Sequence, residues 1–573
     1  MSGNLSTSLI STNDDYKIKN SATTDGATID ECEEEISIDT RLAPYISIDR
    51  TSSDRLLEKE VVCKLARKEA GFAESKHDDE KNEEILGPRC LLSLSMAIIG
   101  CAFSYGWSMG VLNLPEPYIK CWILTISETN NNNHNSTEII NPINCSDALE
   151  LDKNNEFSDV LKYYGLSTAA LPLGGLLGAL PGGILADQVG RKNAMIYNSL
   201  ACLLLSLLLG SSKFLIHEVS LFLLLRFLLG ISTGISCAVA PLYMNEIAPK
   251  KYKGAFGSCF NFGQTAGNLL SGVFTLSYFF GGNNSWPIAS GLCAVPVVYL
   301  LIISPFCPET PAFLLKKGRI EEAMEAVKML KGPNAKVNQN NFVDQKISNK
   351  TRKPNFIKNL KKIFSNRTLR KSSLIVISLM IPQQFCGING ILFYSGSIFA
   401  HAGLSQNLAN LAAIGVAVVN CLFVLVPIFI SDKVGQKKMI YPSYFLQAIL
   451  LTITAFMLNY GQKHDQFYTF LSILPISIFI AVYQCGPGPL SWCQAAQAMP
   501  IEYEASVQML VVMTNRLCCF FIGILFPIMQ SNMGAFSFLP FAGICAFFTV
   551  FIYFLMVDPS GKSRQEVQKE YAQ

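Results

Sequence analysis

The chain has 573 residues, of which 50% are hydrophobic and 16% are charged, whereas a soluble globular protein carries roughly 25% charged residues. Its net charge of +3 divides into an acidic segment, residues 1–89 with 20 acids and 12 bases, and a basic remainder. This composition excludes an ordinary soluble domain. No nucleic-acid-binding motif or metal-ligand spacing accompanies the basic residues, so neither partner is expected.

The first 89 residues are polar and rich in Ser, Thr, Asp and Glu. Residues 1–50 lack the apolar stretch of roughly 7–15 residues that a cleaved signal peptide needs. The first apolar run, which begins near Leu91, is therefore predicted to act as an uncleaved signal anchor. We interpret residues 1–89 as a disordered acidic cytoplasmic tail with a regulatory or trafficking role, which could bind cytoplasmic partners.

Twelve long apolar runs follow, each close to the roughly 20 residues that a helix needs to cross a bilayer. Backbone groups cannot stay unpaired in lipid, so these runs are predicted to be helices. We number them spans 1 to 12: 91–112, 163–185, 194–213, 219–243, 254–277, 287–305, 373–399, 408–430, 439–460, 468–494, 505–529 and 535–556.

The predicted fold class is an all-α membrane protein of 12 transmembrane helices in two six-helix bundles. The bundles are predicted at 90–306 and 372–557, separated by a cytoplasmic linker with short helices at 307–371 and followed by a cytoplasmic tail at 558–573. Residues 319–330 have the apolar periodicity of a short amphipathic helix, and 355–364 could form another. The alternative is a solvated linker.

Lys and Arg predominate in the connections that follow even-numbered spans. Arg191 and Lys192 follow span 2, and the 308–372 segment holds 16 bases against 5 acids. By the positive-inside rule, both termini are predicted to be cytoplasmic. We call the predicted cytoplasmic ends of the spans inner ends and the opposite ends outer ends.

The predicted outer connections carry further marks of an extracellular side. N-glycosylation sequons begin at Asn135, Asn144 and Asn283, although such sequons also arise by chance. Cys121 and Cys145 lie in one polar outer connection and are a candidate disulfide. Most of the other cysteines lie in apolar runs, where they are interpreted as small buried hydrophobic residues.

The two halves of the chain share a weak repeat. Asp187-x-x-Gly190-Arg191 follows span 2, and Asp432-x-x-Gly435 occurs at the same place after span 8. Duplicated halves with a site between them are typical of secondary transporters.

Further motifs occur in order along the chain: Gly106-x-x-x-Gly110-Val111-x-Asn113, Arg226-x-x-x-Gly230, Pro241-x-Tyr243-x-x-Glu246-x-x-Pro249, Pro308-Glu309-Thr310-Pro311, Gln383-Gln384-x-x-Gly387-Ile388-Asn389 and Gly486-Pro487-Gly488-Pro489-x-x-Trp492. With these motifs the chain resembles the sugar-porter branch of the major facilitator superfamily, and most closely the facilitative glucose transporters. The resemblance implies a plasma-membrane transporter of a hexose-like solute, without a cofactor. An enzyme is not expected, because no nucleophile–base set stands out.

Neutral amides are suited to bind an uncharged solute with many hydroxyl groups. Gln383, Gln384 and Asn389 lie within about two turns of one helix, in a span where polar side chains are costly unless they face a cavity. The alternative is hydrogen bonding between helices. The resemblance adds further candidates to this site: Asn261, Asn420 and Asn515 for hydroxyl contacts and Trp492 for stacking on the sugar.

Two features are candidates for conformational change. Gly486, Pro487, Gly488 and Pro489 interrupt span 10, either as a static kink or, as the resemblance implies, as a hinge. Charged groups are predicted to hold the inner ends of the first six spans together, with fewer charges in the second half. These groups are Arg191, Arg226, Glu246 and Lys253 in the first half and Asp432 in the second.

Arg516 in mid-span 11 stands where the related transporters have a tryptophan. A buried Arg is costly in a membrane. It either leans away from the substrate path and contacts backbone carbonyls or a tyrosine, or it lines the cavity and favours an anionic solute. Proton-driven relatives place a carboxylate in span 1, where this chain has Ser108.

The sequence thus favours a passive hexose uniporter that works by alternating access. The first alternative is a transporter of another polyol or of an organic anion, because of Arg516. The second is a relative that binds sugar and signals without transporting it. The expected partners are a small sugar and the lipid bilayer.

Overall fold

The computed structural model describes residues 87–132, 158–215, 218–249, 253–332, 356–401, 403–463, 466–560, 562 and 564–572. Every regular element within these ranges is a helix. Helices satisfy their own backbone groups, which a lipid environment requires.

The first six spans contain several interrupted helices. Span 1 consists of Pro88–Ala97, a π-helical stretch Ile98–Phe103 and Ser104–Gly110, and Glu116–Asn132 follows it. The other helices of this half are Ser158–Val189 (span 2), Arg191–Gly210 (span 3), the short Ser212–Leu215, Val219–Ile247 (span 4), Lys253–Phe274 (span 5), and Trp286–Gly291, Ala294–Ile303 and the 3-10 turn Ser304–Phe306 (span 6).

Short helices follow span 6, and two of them lie where the amphipathic pattern predicted them. They are Pro311–Lys316, Ile320–Lys331 and Phe356–Ser365. Ala323, Ala326 and Leu330 form the buried face of the second helix. The limits of the predicted domains remain predictions.

The second six spans are also interrupted, most often in spans 7, 8 and 10. Their helices are Arg367–Ser378, Met380–Phe385 and Ile388–His401 (span 7), Gln406–Phe423 and Val426–Val434 (span 8), Gln436–Lys463 (span 9), Gln466–Leu471, Ile473–Cys485 and Pro487–Ala498 (span 10), Ile501–Met533 (span 11), the 3-10 turn Gly534–Phe538 and Leu539–Leu555 (span 12). The helix Arg564–Ala572 follows span 12.

Ten segments of the described residues are long and apolar enough to cross a membrane. Lys253–Phe274 is not among the ten, and the last segment, Ser506–Leu555, contains most of span 11 together with span 12. The all-α membrane fold is therefore confirmed, while the exact number of 12 spans stays a prediction. Large apolar side chains face outward on these helices, such as Leu204, Ile302 and Phe554 at 60, 62 and 74% exposure, as lipid contact requires.

The two groups of six spans meet along spans 2 and 11 and along spans 5 and 8. Within the first group span 2 packs mainly on span 4, and within the second group span 9 packs mainly on span 12. The candidate site lies near the contact between spans 2 and 11.

The repeated motif has the same backbone geometry in both halves. Gly190 has φ +102° and Gly435 has φ +93°, a conformation that side chains other than glycine rarely adopt. A Cβ at Gly190 would overlap Glu309, which follows span 6, and a Cβ at Gly435 would overlap Asp558, which follows span 12. A glycine and a carboxylate are thus repeated at corresponding positions of the two halves.

Candidate substrate site

Span 7 is broken at the point where its amide side chains lie. Met380–Phe385 ends before Gly387, whose φ is +90°, and a new helix begins at Ile388. Tyr394 within that helix is also non-helical, with φ −128° and ψ 15°. Gln383 and Gln384 therefore precede the break, and Asn389 follows it.

Gln383 is the centre of a buried amide cluster. Its Oε1 accepts a hydrogen bond of 2.5 Å from Asn515 on span 11 and one of 3.5 Å from Gln384. Its Nε2 donates to the carbonyl oxygen of Gly488 on span 10, at 2.8 Å. Spans 7, 10 and 11 are thus linked by one side chain that is only 1% exposed.

Asn389 extends this cluster to the far side of the break. Its Nδ2 donates to Oε1 of Gln384 and to Sγ of Cys519, the latter at 3.3 Å. We call Gln383, Gln384, Asn389 and Asn515 the amide cluster. All four are at least 93% buried, and their amide groups bond to one another, to the Gly488 carbonyl and to the Cys519 thiol.

Asn420 lies in a second amide pair. Its Oδ1 accepts a hydrogen bond of 2.5 Å from Nε2 of Gln484, which joins span 8 to span 10. Gln484 was not among the predicted site residues; its pairing with Asn420 joins residues 64 positions apart.

The remaining two candidates lie outside both sets of hydrogen bonds. Asn261 on span 5 is half-buried, and Trp492 on the inner part of span 10 packs partly buried against the apolar core. Their contacts with a sugar stay predictions.

Arg516 crosses from span 11 to the first six spans. Its Nη1 donates to the Tyr105 hydroxyl on span 1, and its guanidinium lies 4.6 Å from the centre of the Tyr105 ring. Its Nη2 donates to Sγ of Cys237 on span 4, at 3.3 Å. A tyrosine contact is the first of the two arrangements considered from the sequence, and the effect of Arg516 on specificity remains a prediction.

Polar contacts close the outer ends of spans 1 and 7. Nδ2 of Asn113 donates to the Leu392 carbonyl and to Oγ of Ser395, both at 2.9 Å. The Tyr394 hydroxyl lies 2.7 Å from Oγ1 of Thr168 on span 2.

The same Tyr394 hydroxyl donates to the Gly523 carbonyl on span 11, at 2.8 Å. The sequence analysis did not identify Tyr394 or Thr168 as functional, since their pairing joins residues 226 positions apart. The Tyr394 ring also contacts the rings of Tyr164 on span 2 and Phe526 on span 11.

An ion-pair network holds the inner ends of the first six spans together. Arg191 pairs with Glu246 at 2.9 Å and with Asp187 at 3.2 Å, and Asp187 also pairs with Lys316 at 2.9 Å. The guanidinium of Arg191 lies 5.3 Å from the centre of the Phe313 ring.

Glu309 caps the helix that begins at Arg191. Its carboxylate accepts hydrogen bonds from the backbone N–H groups of Arg191 and Lys192, at 3.0–3.2 Å. Burial raises the pKa of Glu309, while the same backbone N–H groups and that of Thr310 oppose the rise. The carboxylate is thus held in place by backbone donors at a helix N-terminus.

The predicted place of Arg226 at this inner network is wrong. Arg226 donates to the carbonyl oxygens of Ser108, at 2.9 Å, and Ser167, at 3.3 Å, on spans 1 and 2. It is on the same helix as Glu246 but twenty residues earlier, so the rise of the helix separates them by about 30 Å. For Lys253 and Asp432 the structure describes the helical backbone but not the side chains. Their roles in the inner network therefore stay predictions.

The inner end of the second half is held by neutral amides. Nε2 of Gln436 donates to Oε1 of Gln497 at 2.8 Å, and Nε2 of Gln494 donates to Oε1 of Gln436 at 2.7 Å. The C-terminal helix adds an ion pair of 2.6 Å between Arg564 and Glu504.

Span 10 changes direction at the predicted hinge. Ile473–Cys485 ends at Gly486, which has φ −128° and ψ −95°, and Pro487 begins the next helix segment. A Cβ on Gly486 would come within 2.5 Å of Oγ of Ser443 on span 9, so this close approach requires glycine. Whether the break is a hinge or a static kink stays open.

The marks predicted for the outer connections lie mostly outside the described residues. Asn135, Asn144 and Cys145 fall there. Cys121 is disulfide-bonded, and its pairing with Cys145 stays a prediction. Asn283 is exposed, and its Oδ1 accepts a hydrogen bond of 2.9 Å from Lys213; its glycosylation stays a prediction.

Comparison with known proteins identifies relatives over most of the chain. A family model described as "Sugar (and other) transporter" matches residues 93–571. The facilitated glucose transporter member 7 of Mus musculus is 28% identical over 497 residues, which cover 86% of this chain and 91% of the relative. Member 2 of Sus scrofa is 29% identical over 498 residues, covering 83% and 92%.

Solved structures resemble the fold. The proton:xylose symporter XylE bound to 6-bromo-6-deoxy-D-glucose, a major facilitator superfamily protein, matches with a TM-score of 0.64 and 19% identity, over 84% of this chain and 99% of XylE. XylE from E. coli in its inward open conformation matches with a TM-score of 0.63 and 18% identity, over 84% and 98%. At this identity the likeness concerns the fold alone.

Proposed function

Because the chain belongs to the sugar (and other) transporter family and has the major facilitator fold, we propose that it is a hexose uniporter of the plasma membrane that works by alternating access. It is a multi-pass membrane transporter and not an enzyme. The substrate, the absence of proton coupling and the transport cycle are the parts that we add.

The amide cluster carries the proposal of a hexose. Gln383, Gln384, Asn389 and Asn515 offer donors and acceptors without a charge, and they are buried between spans 7, 10 and 11. These groups now bond to one another. Sugar hydroxyls would replace these amide–amide bonds. The free-energy cost of removing water from the sugar would then be offset by hydrogen bonds to the amides.

The names of the relatives support a hexose as well. Those given above are facilitated glucose transporters, and the XylE structure contains a glucose derivative. A neutral amide site fits such a solute better than it fits a lipid or a peptide.

Uniport is supported by the chemistry of span 1. Ser108 donates its hydroxyl to the Ser104 carbonyl, at 2.8 Å, and Arg226 beside it bonds to carbonyl oxygens instead of a carboxylate. The buried Glu116 lies beyond span 1, and Lys120 pairs with it at 3.0 Å. The carboxylate of Glu116 is thus engaged in an ion pair outside span 1.

Alternating access is supported by the different bonds at the two ends of the molecule. Hydrogen bonds of Asn113 and Tyr394 close the outer ends, and ion pairs and amides hold the inner ends within each half. Each set consists of a few bonds of modest net strength, so either set can open while the other closes.

Transport in liposomes tests the proposal. Purified protein is reconstituted, and the uptake of radiolabelled D-glucose is followed with and without a pH gradient. We expect uptake down the glucose gradient at a rate that the pH gradient leaves unchanged. Uptake that accumulates glucose against its gradient when the outside is acidic would overturn uniport, and binding without uptake would overturn transport.

A further inference from the structure

Arg516 is a charged group in the middle of span 11 and is 7% exposed. Its described partners are neutral: the hydroxyl and ring of Tyr105 and the thiol of Cys237. Its Nε is buried and has no hydrogen-bond partner. A guanidinium is charged at every physiological pH, so a positive charge is held here without a paired carboxylate among the described residues.

Such an arrangement is costly in a membrane protein. Buried charges are normally paired, and a charge at membrane depth marks a functional site unless a partner neutralises it. The phenol of Tyr105 gives a cation–π contact and one hydrogen bond, but it adds no negative charge. Nε remains available for a further acceptor.

Arg516 adjoins the amide cluster along span 11. Asn515 precedes Arg516 in the chain and bonds to Gln383, and Cys519, one turn later, bonds to Asn389. Span 2 lies directly against the arginine, since a Cβ at Gly175 would be in van der Waals contact with Cδ of Arg516, at 3.4 Å. A solute held by the amides would therefore meet the guanidinium on the side of the first six spans.

We propose that Arg516 binds a carboxylate of the transported solute, so that the preferred substrates are sugar acids of the hexuronate class. This inference rests on the proposed function, since the amide cluster holds the hydroxyl groups of the same molecule. A carboxylate matches the fork of a guanidinium and accepts two parallel hydrogen bonds. It would replace the Tyr105 hydroxyl as the acceptor, satisfy Nε and neutralise the charge.

Solutes that differ only in charge test this proposal separately from the proposed function. The uptake of radiolabelled D-glucuronate and D-glucose is measured in liposomes, with unlabelled glucuronate and its neutral amide, glucuronamide, as competitors. We expect glucuronate to compete at a concentration at least about tenfold lower than glucuronamide, because only the ion gains charge-assisted hydrogen bonds. Equal competition by the two would overturn the proposal.

Variants of Arg516 give a second readout. In Arg516→Gln, we expect the ratio of glucuronate uptake to glucose uptake to fall at least about tenfold, and in Arg516→Lys, which keeps the charge but loses the fork, to fall less. An unchanged ratio in Arg516→Gln would overturn the proposal. The competition experiment uses the unaltered protein, so it decides the question even if a variant fails to fold.

Membrane potential provides a third measurement. Glucuronate uniport moves one negative charge in each cycle, so a potassium diffusion potential that is positive inside should accelerate its uptake and leave glucose uptake less affected. Glucose uptake without glucuronate uptake would overturn the assignment of Arg516 and leave the hexose proposal standing. If neither glucose nor glucuronate is taken up, the proposed transport function itself is overturned.

Discussion

Gln436 and Gln497 meet at the inner ends of spans 9 and 10, with Nε2 of one 2.8 Å from Oε1 of the other. The corresponding place in the first half is held by ions, where Arg191 pairs with Glu246. A neutral hydrogen bond is worth about 0.5–1.5 kcal/mol net, and one to a charged group about 1.5–3 kcal/mol. Of these two corresponding pairs, the one in the second half is therefore the weaker.

Introducing opposite charges at this pair should favour closure of the inner side. In the double variant Gln436→Arg with Gln497→Glu, a gain of about 1 kcal/mol would shift the equilibrium roughly fivefold toward the state open to the outside. The measurement is the labelling rate of a cysteine introduced at the inner cavity. The single variant Gln436→Arg is the control, because it adds charge without a partner, and unchanged labelling in the double variant contradicts the prediction.

Removing the central amide should impair sugar binding. Gln383→Ala deletes the group that links spans 7, 10 and 11. We expect glucose uptake at low concentration to fall at least about fivefold, since a lost hydrogen bond to a buried polar group costs about 1–3 kcal/mol. Gln462→Ala is the matched control, because Gln462 is exposed at the outer end of span 9. Equal uptake by both variants would refute the role of Gln383.

Two ion pairs at the inner ends of the first six spans should differ in their contribution to stability. Glu246→Gln leaves Arg191 buried without its closest partner, and the loss should approach the roughly 3–5 kcal/mol seen when one member of a buried pair is removed. Lys316→Ala breaks a pair whose side chains are more than a third exposed, and the loss should stay below about 1 kcal/mol. Thermal unfolding in detergent compares them, and similar shifts in Tm would contradict this ranking.

Glycine at position 190 should be required for two separable reasons. Gly190→Ala places a side chain on a backbone with φ +102° and against the carboxylate of Glu309. Gly332→Ala has the same backbone strain, at φ +104°, but no atom lies within 4 Å of its Cβ. We expect Gly332→Ala to cost about 1–2 kcal/mol of unfolding free energy and Gly190→Ala more, again from Tm. A Tm for Gly190→Ala equal to that of Gly332→Ala would exclude the clash.

The sequence was sufficient for the parts of the fold that depend on local pattern. Apolar runs locate the spans because lipid imposes one length and one polarity on every helix. The motif at Gly190 and Gly435 predicted a repeat, and the backbone angles of these two glycines agree with it. The break at Gly387 was not predicted: the amides of span 7 were assigned to one continuous helix, whereas Gly387 takes a positive φ between Gln384 and Asn389.

Contacts between distant spans could not be derived in this way. The contact of Tyr394 with Thr168 depends on how the two halves pack, which no local pattern records. Arg226 was misplaced because it was grouped with the charged residues of the inner ends on the basis of its charge alone. The rise of the helix puts it about 30 Å from Glu246. The placement of Arg516 against Tyr105 was one of two sequence alternatives, and only the packing of spans 1 and 11 distinguishes them.

The difference between the inner ends also sets how each responds to ionic strength. The partly exposed pair of Asp187 and Lys316 is screened by dissolved ions, so concentrated electrolyte weakens the inner end of the first half. Hydrogen bonds between the amides of Gln436, Gln494 and Gln497 carry no net charge and are insensitive to such screening. The partly exposed pair of Arg564 and Glu504 at the same end is screened as well, so added electrolyte should leave the inner end of the second half held mainly by its amides.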